Sequence, residues 1–259
     1  MDRIDAFNSS DEVSDHRARA AVADLPADDA SPFLLGGGGA EPVTQMTTAG
    51  PIVRLSRPDA VAGRLLDITV AGGLLLLVLP LMAVCALAVL LSGPGPLLFR
   101  QQRVGRGGNG FTCLKFRTMV TDADAVMKTL LESNGQAHAQ WLAVQKLDRD
   151  PRVTRVGRFL RRYCLDELPQ LFNVLAGDMS VVGPRPIVEA EVNRYGPRFP
   201  DYCSVKPGIT GLWQISGKHA LSYEERVRLD AEYARSKSTA MDLVILWRTV
   251  PIVLLGQNQ

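Results

Sequence analysis

The residues best equipped for chemistry lie between Arg152 and Pro186, in the string RVTRVGRFLRRYCLDELPQLFNVLAGDMSVVGPRP. An acidic pair, Asp166-Glu167, follows Arg152, Arg155, Arg158, Arg161 and Arg162, whose spacing puts several guanidinium groups on neighbouring turns of a short helix. Proline favours the first helical turn and glycine the position past the last, so Pro169 and Gly177 predict a helix over about residues 169–176. Asp166 and Glu167 then stand at its N-terminus, where unpaired N–H groups and the helix dipole favour ionised carboxylates. Gly183-Pro184-Arg185-Pro186 closes the string as a stiff turn that fixes one more arginine. Taken singly these features are ordinary: acids in a first helical turn usually cap it, and arginine-rich helices are usually solvated faces. Taken together they describe an ionised acid pair among guanidinium groups, which suits holding a phosphate and attacking it.

The elements that must position this pair begin with an apolar run. Residues 68–99 contain no charged residue, and residues 70–91 are nearly all aliphatic, long enough for a membrane segment. Hydropathy alone describes a single crossing. The flanks oppose it: Arg54, Arg57 and Arg64 precede the run, while Arg100, Arg103, Arg106, Lys115 and Arg117 follow it. Both ends therefore ask for the cytoplasmic side. Pro80 removes one helical hydrogen bond and predicts a kink. Residues 65–79 and 81–91 as separate helices would be about 22 Å and about 16 Å long, each short of a roughly 30 Å hydrocarbon core. A re-entrant helix broken at Pro80, entering and leaving by one leaflet, satisfies all three observations.

After the abrupt end at Ser92-Gly93-Pro94-Gly95-Pro96, LLFRQQRVG and FTCLKFRTM flank a glycine-rich turn and predict a β-hairpin. The period of two puts Lys115 and Arg117 on one face of its second strand, where by themselves they read as charges that keep an edge soluble. Residues 122–146 read as one or two helices interrupted near Asn134-Gly135. VKPGITGLWQISGK is rich in turn residues around Trp213 and Gln214, and Trp213 alone reads as packing. Ser222 and Glu225 form a capping box for a charged helix. Residues 241–255, apolar apart from Asp242 and Arg248, fit a core helix and an amphipathic helix on a membrane surface equally.

Composition narrows the function classes. Residues 1–50 hold nine acidic against three basic side chains and read as a disordered acidic tail without a signal peptide. The rest carries 26 basic against 18 acidic, which suits phosphate-bearing substrates and an anionic membrane surface. No nucleic-acid-binding motif accompanies that surplus. Cys85, Cys113, Cys164 and Cys203 are scattered, and His16, His138 and His219 show no metal spacing, so neither a disulfide framework nor a zinc site is expected.

The continuous string DELPQLFNVLAGDMS followed by GPRP resembles the signature of the bacterial sugar transferase family, the monotopic polyprenyl-phosphate hexose-1-phosphate transferases. The resemblance extends over about residues 60–255. It implies an α+β, mostly helical fold: a membrane-embedded re-entrant helix over residues 56–97, and a cytoplasmic catalytic domain over 98–259 with a small β-hairpin and interfacial helices. The family's break is usually Ser-Pro; here Leu79 stands where that serine would be. The implied activity is transfer of hexose-1-phosphate, galactose or glucose, from a UDP-sugar to polyprenyl phosphate, releasing UMP in exopolysaccharide synthesis at the bacterial inner membrane. Carried over residue by residue, Asp166 is the nucleophile and forms an aspartyl phospho-sugar, while Glu167, with Asp166, holds Mg2+. The resemblance also brings the KFRTM segment and the segment around Trp213 to the site, so Lys115, Arg117, Arg161, Arg185, Lys206 and Gln214 are the expected phosphate and nucleotide contacts. It leaves a homodimer open. Two other readings stay beside it: a scaffold or regulator of polysaccharide assembly that kept the fold without the activity, and a basic membrane protein that binds anionic lipid without chemistry.

Overall fold

A computed structural model describes residues 57–144, 147, 150–217 and 221–254. The expected acidic tail over residues 1–55, with His16 and Arg54, lies outside the described residues, as does His219.

The longest element is helix α1 (Arg57–Leu91). It runs through Pro80 without interruption, so the break expected there is not found. Proline deprives a helix of one hydrogen bond, and α1 is packed on the rest of the chain on both sides of it. Ala71, with Val70, Leu75 and Val78, packs on Leu171, Val174, Met179 and Val181. Beyond the proline, Met82, Cys85 and Val89 pack on Phe116 and Leu160. Covered positions thus recur at 64, 67, 71, 75, 78, 82, 85 and 89, steps of three and four that keep one face against the rest of the chain. The opposite face is apolar and exposed: Leu65, Leu76, Leu77, Val84, Leu87 and Leu91 are each more than half accessible.

Charged side chains fasten α1 at both ends. Arg64 donates to the carbonyls of Val174 and Leu175, each at 2.7 Å. Buried Asp67 accepts from Ser180 Oγ at 2.7 Å and from the Val181 N–H at 2.8 Å. At the far end Arg117 donates to the carbonyl of Val89, which also accepts from Ser92, and to those of Gly93 and Pro94 just past the helix.

The expected hairpin follows, with strand β1 (Leu98–Val104) antiparallel to β2 (Gly110–Phe116). Helices α2 (Ala123–Ser133) and α3 (Gly135–Val144) are separated at Asn134 as anticipated. Helix α4 (Arg155–Arg162) is capped by Thr154, whose hydroxyl accepts from the Gly157 N–H at 2.8 Å. Cys164 then adopts a left-handed conformation, φ 54°, and turns the chain into a 3-10 turn, Leu165–Glu167. Helix α5 (Gln170–Ala176) comes next and ends at Gly177, whose φ of 95° places its N–H and that of Asp178 on the Asn173 carbonyl.

Strand β3 (Ser180–Val182) pairs in parallel with β4 (Gly208–Thr210), a contact of two three-residue segments too short to announce itself by periodicity. Between them lie α6 (Val192–Tyr195) and α7 (Phe199–Ser204). The chain continues through α8 (Leu212–Ile215), α9 (Tyr223–Ser236) and α10 (Thr239–Leu254). The Ser222–Glu225 capping box forms at the start of α9: the Ser222 hydroxyl accepts from the Glu225 N–H, and the Glu225 carboxylate from the Ser222 N–H. Helix α10 divides by face, with Asp242 and Ile245 buried and Leu243, Val244, Trp247 and Val250 exposed.

Candidate active site

The site is assembled where α5 meets the hairpin. Buried Asn173, on α5, serves β2 as a neighbouring strand would. Its amide donates to the Thr112 carbonyl at 2.7 Å, and its side-chain oxygen accepts from the Leu114 N–H at 3.0 Å. That pair of bonds fixes the register between the two elements. Lys115, one residue further along β2, then meets Glu167, with Nζ 2.7 Å from Oε1.

Glu167 and Lys115 line an open pocket, together with Arg103, Gln170, Arg185 and Gln214. Its cations come from three elements: Arg103 from β1, Lys115 from β2 and Arg185 from the turn after β3. Arg103 is held by the Pro186 carbonyl at 2.9 Å and by Gln101 Oε1 at 2.6 Å. Burial, and after it the like charge of Arg185, lower its pKa. Cations crowded in this way gain when an anion comes between them, and two linked phosphates meet that need.

Asp166 is buried beside Glu167 and does not line the pocket. Burial raises its pKa first and the neighbouring Glu167 adds to the rise, against the pull of Lys115 and Arg161. The helix-end setting expected to hold this carboxylate ionised is therefore offset by desolvation, because Asp166 lies in the 3-10 turn and packs inward.

Four of the expected site residues share the pocket: Glu167, Lys115, Arg185 and Gln214. Gln214 donates to the Ile209 carbonyl at 3.0 Å. Besides Asp166, three others lie outside it. Arg117 was expected beside Lys115, but β2 ends at Phe116 and the arginine turns to the end of α1. Arg161 donates through Nε to Thr118 Oγ1 at 2.9 Å, near enough to Asp166 to act on it through charge alone. Lys206 Nζ rests against Gly177 beside Arg64, at the opposite end of α5 from the acidic pair. Arg103 and Gln170 were not anticipated. Arg103 was within reach, since the register Arg103↔Phe111 and Gln101↔Cys113 puts it on the face of the hairpin that carries Lys115.

Among the described residues no group of three or more His, Cys, Asp or Glu converges to hold a metal. Adjacent Asp166 and Glu167 offer hard oxygen donors, a set that fits Mg2+, which takes one or two carboxylates and completes its shell with water and substrate phosphate.

Known proteins resemble this chain over most of its length. The exopolysaccharide production protein ExoY of Rhizobium meliloti is 44% identical over 197 residues, covering 76% of this chain and 87% of that protein. The UDP-glucose:undecaprenyl-phosphate glucose-1-phosphate transferase of Caulobacter vibrioides is 41% identical over 228 residues, 84% of this chain and 79% of that one. The undecaprenyl-phosphate galactose phosphotransferase of Salmonella typhimurium is 47% identical over 191 residues, which span 74% of this chain and 40% of the relative. The bacterial sugar transferase profile matches residues 58–256, taking in α1, the hairpin, the acidic pair and α10 together, and the chain belongs to that family.

Proposed function

We propose that this protein transfers hexose-1-phosphate from UDP-galactose or UDP-glucose to undecaprenyl or another polyprenyl phosphate, releasing UMP and starting a lipid-linked exopolysaccharide. The observation that carries this reading is the convergence of Arg103, Lys115 and Arg185 on a pocket bordered by Glu167, with Asp166 next to it. Relatives named for galactose and for glucose transfer support both donors. In the first step a carboxylate oxygen of Asp166 attacks the β-phosphorus of the donor. The bond from that phosphorus to the bridging oxygen breaks, and UMP leaves with the electron pair. An oxygen of the lipid phosphate then attacks the same phosphorus and the bond to Asp166 breaks, which regenerates the carboxylate. One phosphoanhydride replaces another, so the exchange needs no ATP.

Arg103, Lys115 and Arg185 neutralise the donor's two phosphates and let an anionic nucleophile approach. Mg2+ held by Glu167 and Asp166 would supply further charge neutralisation there. Burial suits Asp166 to its task, because a raised pKa makes the ionised carboxylate a stronger nucleophile.

The exposed apolar face of α1 is proposed to lie in the membrane, with both ends of the helix and the catalytic domain on the cytoplasmic side. A helix crossing the bilayer would carry its second half away from that domain. Here residues on both sides of Pro80 are covered by it.

Incubating the pure protein with a UDP-sugar labelled in its β-phosphate, without lipid, tests the covalent step. The expected result is label on Asp166 and UMP in at most stoichiometric amount, both lost in Asp166→Asn. The burial of Asp166 favours one rival, direct attack by the lipid phosphate with Asp166 as base or metal ligand. Absence of an adduct, with kinetics that require both substrates bound together, selects it. If no UDP-sugar in a panel yields UMP even with polyprenyl phosphate present, the chain is a scaffold or a lipid-binding protein instead.

A further inference from the structure

Gln170 opens α5 and borders the pocket, yet it has no share in neutralising the donor's phosphates. The residue is 3% exposed. Neighbouring carboxamides are spent: Asn173 uses both ends of its own on β2, and Gln214 donates to the Ile209 carbonyl at 3.0 Å. Among the described residues, the carboxamide of Gln170 takes part in no hydrogen bond. A carboxamide buried without a partner is costly, whereas methionine or leucine would fill the same space without that cost. Packing therefore gives no reason for a glutamine at this position, and a polar group entering the pocket does.

Its place relative to the acidic pair narrows what that group is. Leu168 and Pro169 are right-handed, so the chain coils without a break from the Leu165–Glu167 turn into α5. The Leu168 N–H donates to the Leu165 carbonyl at 3.3 Å and the Leu171 N–H to the Leu168 carbonyl at 3.1 Å, the spacing of a 3-10 helix. Side chains three residues apart eclipse in that geometry, which sets Gln170 over Glu167 with both on the pocket wall. Asp166 is one residue further back, on the neighbouring turn. Arg103, Lys115 and Arg185 come from β1, β2 and the turn after β3, so Gln170 adds an uncharged group beside the acids. The phosphorus that Asp166 attacks also carries the hexose, which places the sugar beside the acidic pair. A phosphate oxygen accepts only, and could use the NH2 of Gln170 but not its carbonyl oxygen. A sugar hydroxyl both donates and accepts, and matches both ends of the amide.

We infer that Gln170 is a substrate-contacting residue: its carboxamide takes a hydroxyl of the hexose and holds the sugar against the acidic pair while Arg103, Lys115 and Arg185 hold the phosphates. The inference rests on the function proposed above, and names a contact which that function does not require.

Gln170→Met tests it, since methionine has nearly the same length and makes no such hydrogen bond. By titration calorimetry, the Kd of the substituted chain for UDP-galactose or UDP-glucose should rise about tenfold, with the Kd for UDP unchanged. In UMP release with polyprenyl phosphate present, kcat/KM should fall by a similar factor. UDP-hexoses that lack one hydroxyl at a time then locate the contact. With the original chain, one of these deoxy donors should lose about tenfold in kcat/KM relative to the parent hexose. With Gln170→Met, that same donor should come within about twofold of the parent.

Three results would overturn the inference. One is an equal loss of affinity for UDP and for the UDP-hexose, which would put Gln170 on the nucleotide or its phosphates. Another is a set of deoxy donors that lose as much with Gln170→Met as with the original chain. The third is unaltered binding and turnover in Gln170→Met. Should that variant fail to fold, Gln170→Asn makes the same comparisons, because it keeps the polarity and draws the amide back by one methylene. A chain that neither binds nor turns over any UDP-sugar sinks the proposed function and this inference with it. A chain that does both, with its Gln170 variants indistinguishable from it, sinks the inference alone.

Discussion

Two arginines of this chain look alike in sequence and do different work. Arg185 stands in a cation-lined pocket, and Arg117 closes the end of an apolar helix. Arg185→Lys should lower kcat/KM for the UDP-sugar by at least tenfold with little change in thermal stability, since an ammonium cannot reproduce the planar fork of a guanidinium. Arg117→Ala should do the reverse: it removes the cation that ties together the Val89, Gly93 and Pro94 carbonyls at the end of α1, a loss of roughly 2–3 kcal/mol seen as a lower Tm, while KM for the UDP-sugar is unchanged. Steady-state kinetics and thermal unfolding of both variants separate the two roles; equal KM effects would place Arg117 in the site after all. Asp166 adds a prediction about pH. Its pKa lies above the ordinary aspartate value because burial and then Glu167 oppose ionisation, and only the ionised form attacks. On acidification, UMP release should therefore begin to fall at a higher pH than the usual carboxylate range near 4, and a limb at or below that range would contradict the assignment.

At the scale of elements, the decisive contact is α5 on the hairpin. Asn173 satisfies one donor and one acceptor of β2, and through them brings Lys115 to Glu167. Asn173→Ala strands both groups in the interior and should destabilise the protein by about 2 kcal/mol while lowering kcat, since the ion pair loses its register. Measuring Tm and kcat together checks this, and a fall in Tm with kcat unaltered would show that the register is set elsewhere. Helix α1 carries the second prediction at this scale. Cysteines at Val61 and Arg106, in a chain without its native cysteines, should both resist an impermeant thiol reagent in intact cells and both react after lysis. Reaction of just one in intact cells would establish a true crossing.

For the molecule as a whole, Leu246 on α10 packs against the cluster that holds Ala71 of α1, and both helices expose apolar side chains. Leu243, Val244, Trp247 and Val250 on α10 add to the leucine-rich surface of α1. An apolar surface of this kind is not screened by salt, whereas attraction between arginines and anionic lipid is. Washing membranes with 1 M salt or alkaline carbonate should leave the protein in the pellet and detergent should release it. Release by salt alone would reduce the attachment to electrostatics and undo the embedding of α1.

The sequence by itself determined the local elements and the reacting pair. Gly177 after an apolar run ended α5, the glycine turn made the hairpin, Ser222 with Glu225 started α9, and Asp166-Glu167 stood out by their string. These are short-range matters of backbone preference and capping, which neighbouring residues settle among themselves. Residues far apart in the chain decided the rest. Strand periodicity put Arg117 beside Lys115, yet the strand ended one residue earlier and carbonyls at and just past the end of α1 claimed the guanidinium. Pro80 predicted a break, yet the helix continues through it, with side chains from distant segments packed on either side. Asp166 belonged to a helix end in sequence, and packing buried it. Asp230 gave no signal at all, because an acid in a charged helix reads as solvated until the fold closes over it and hands it the hydroxyl of Tyr195.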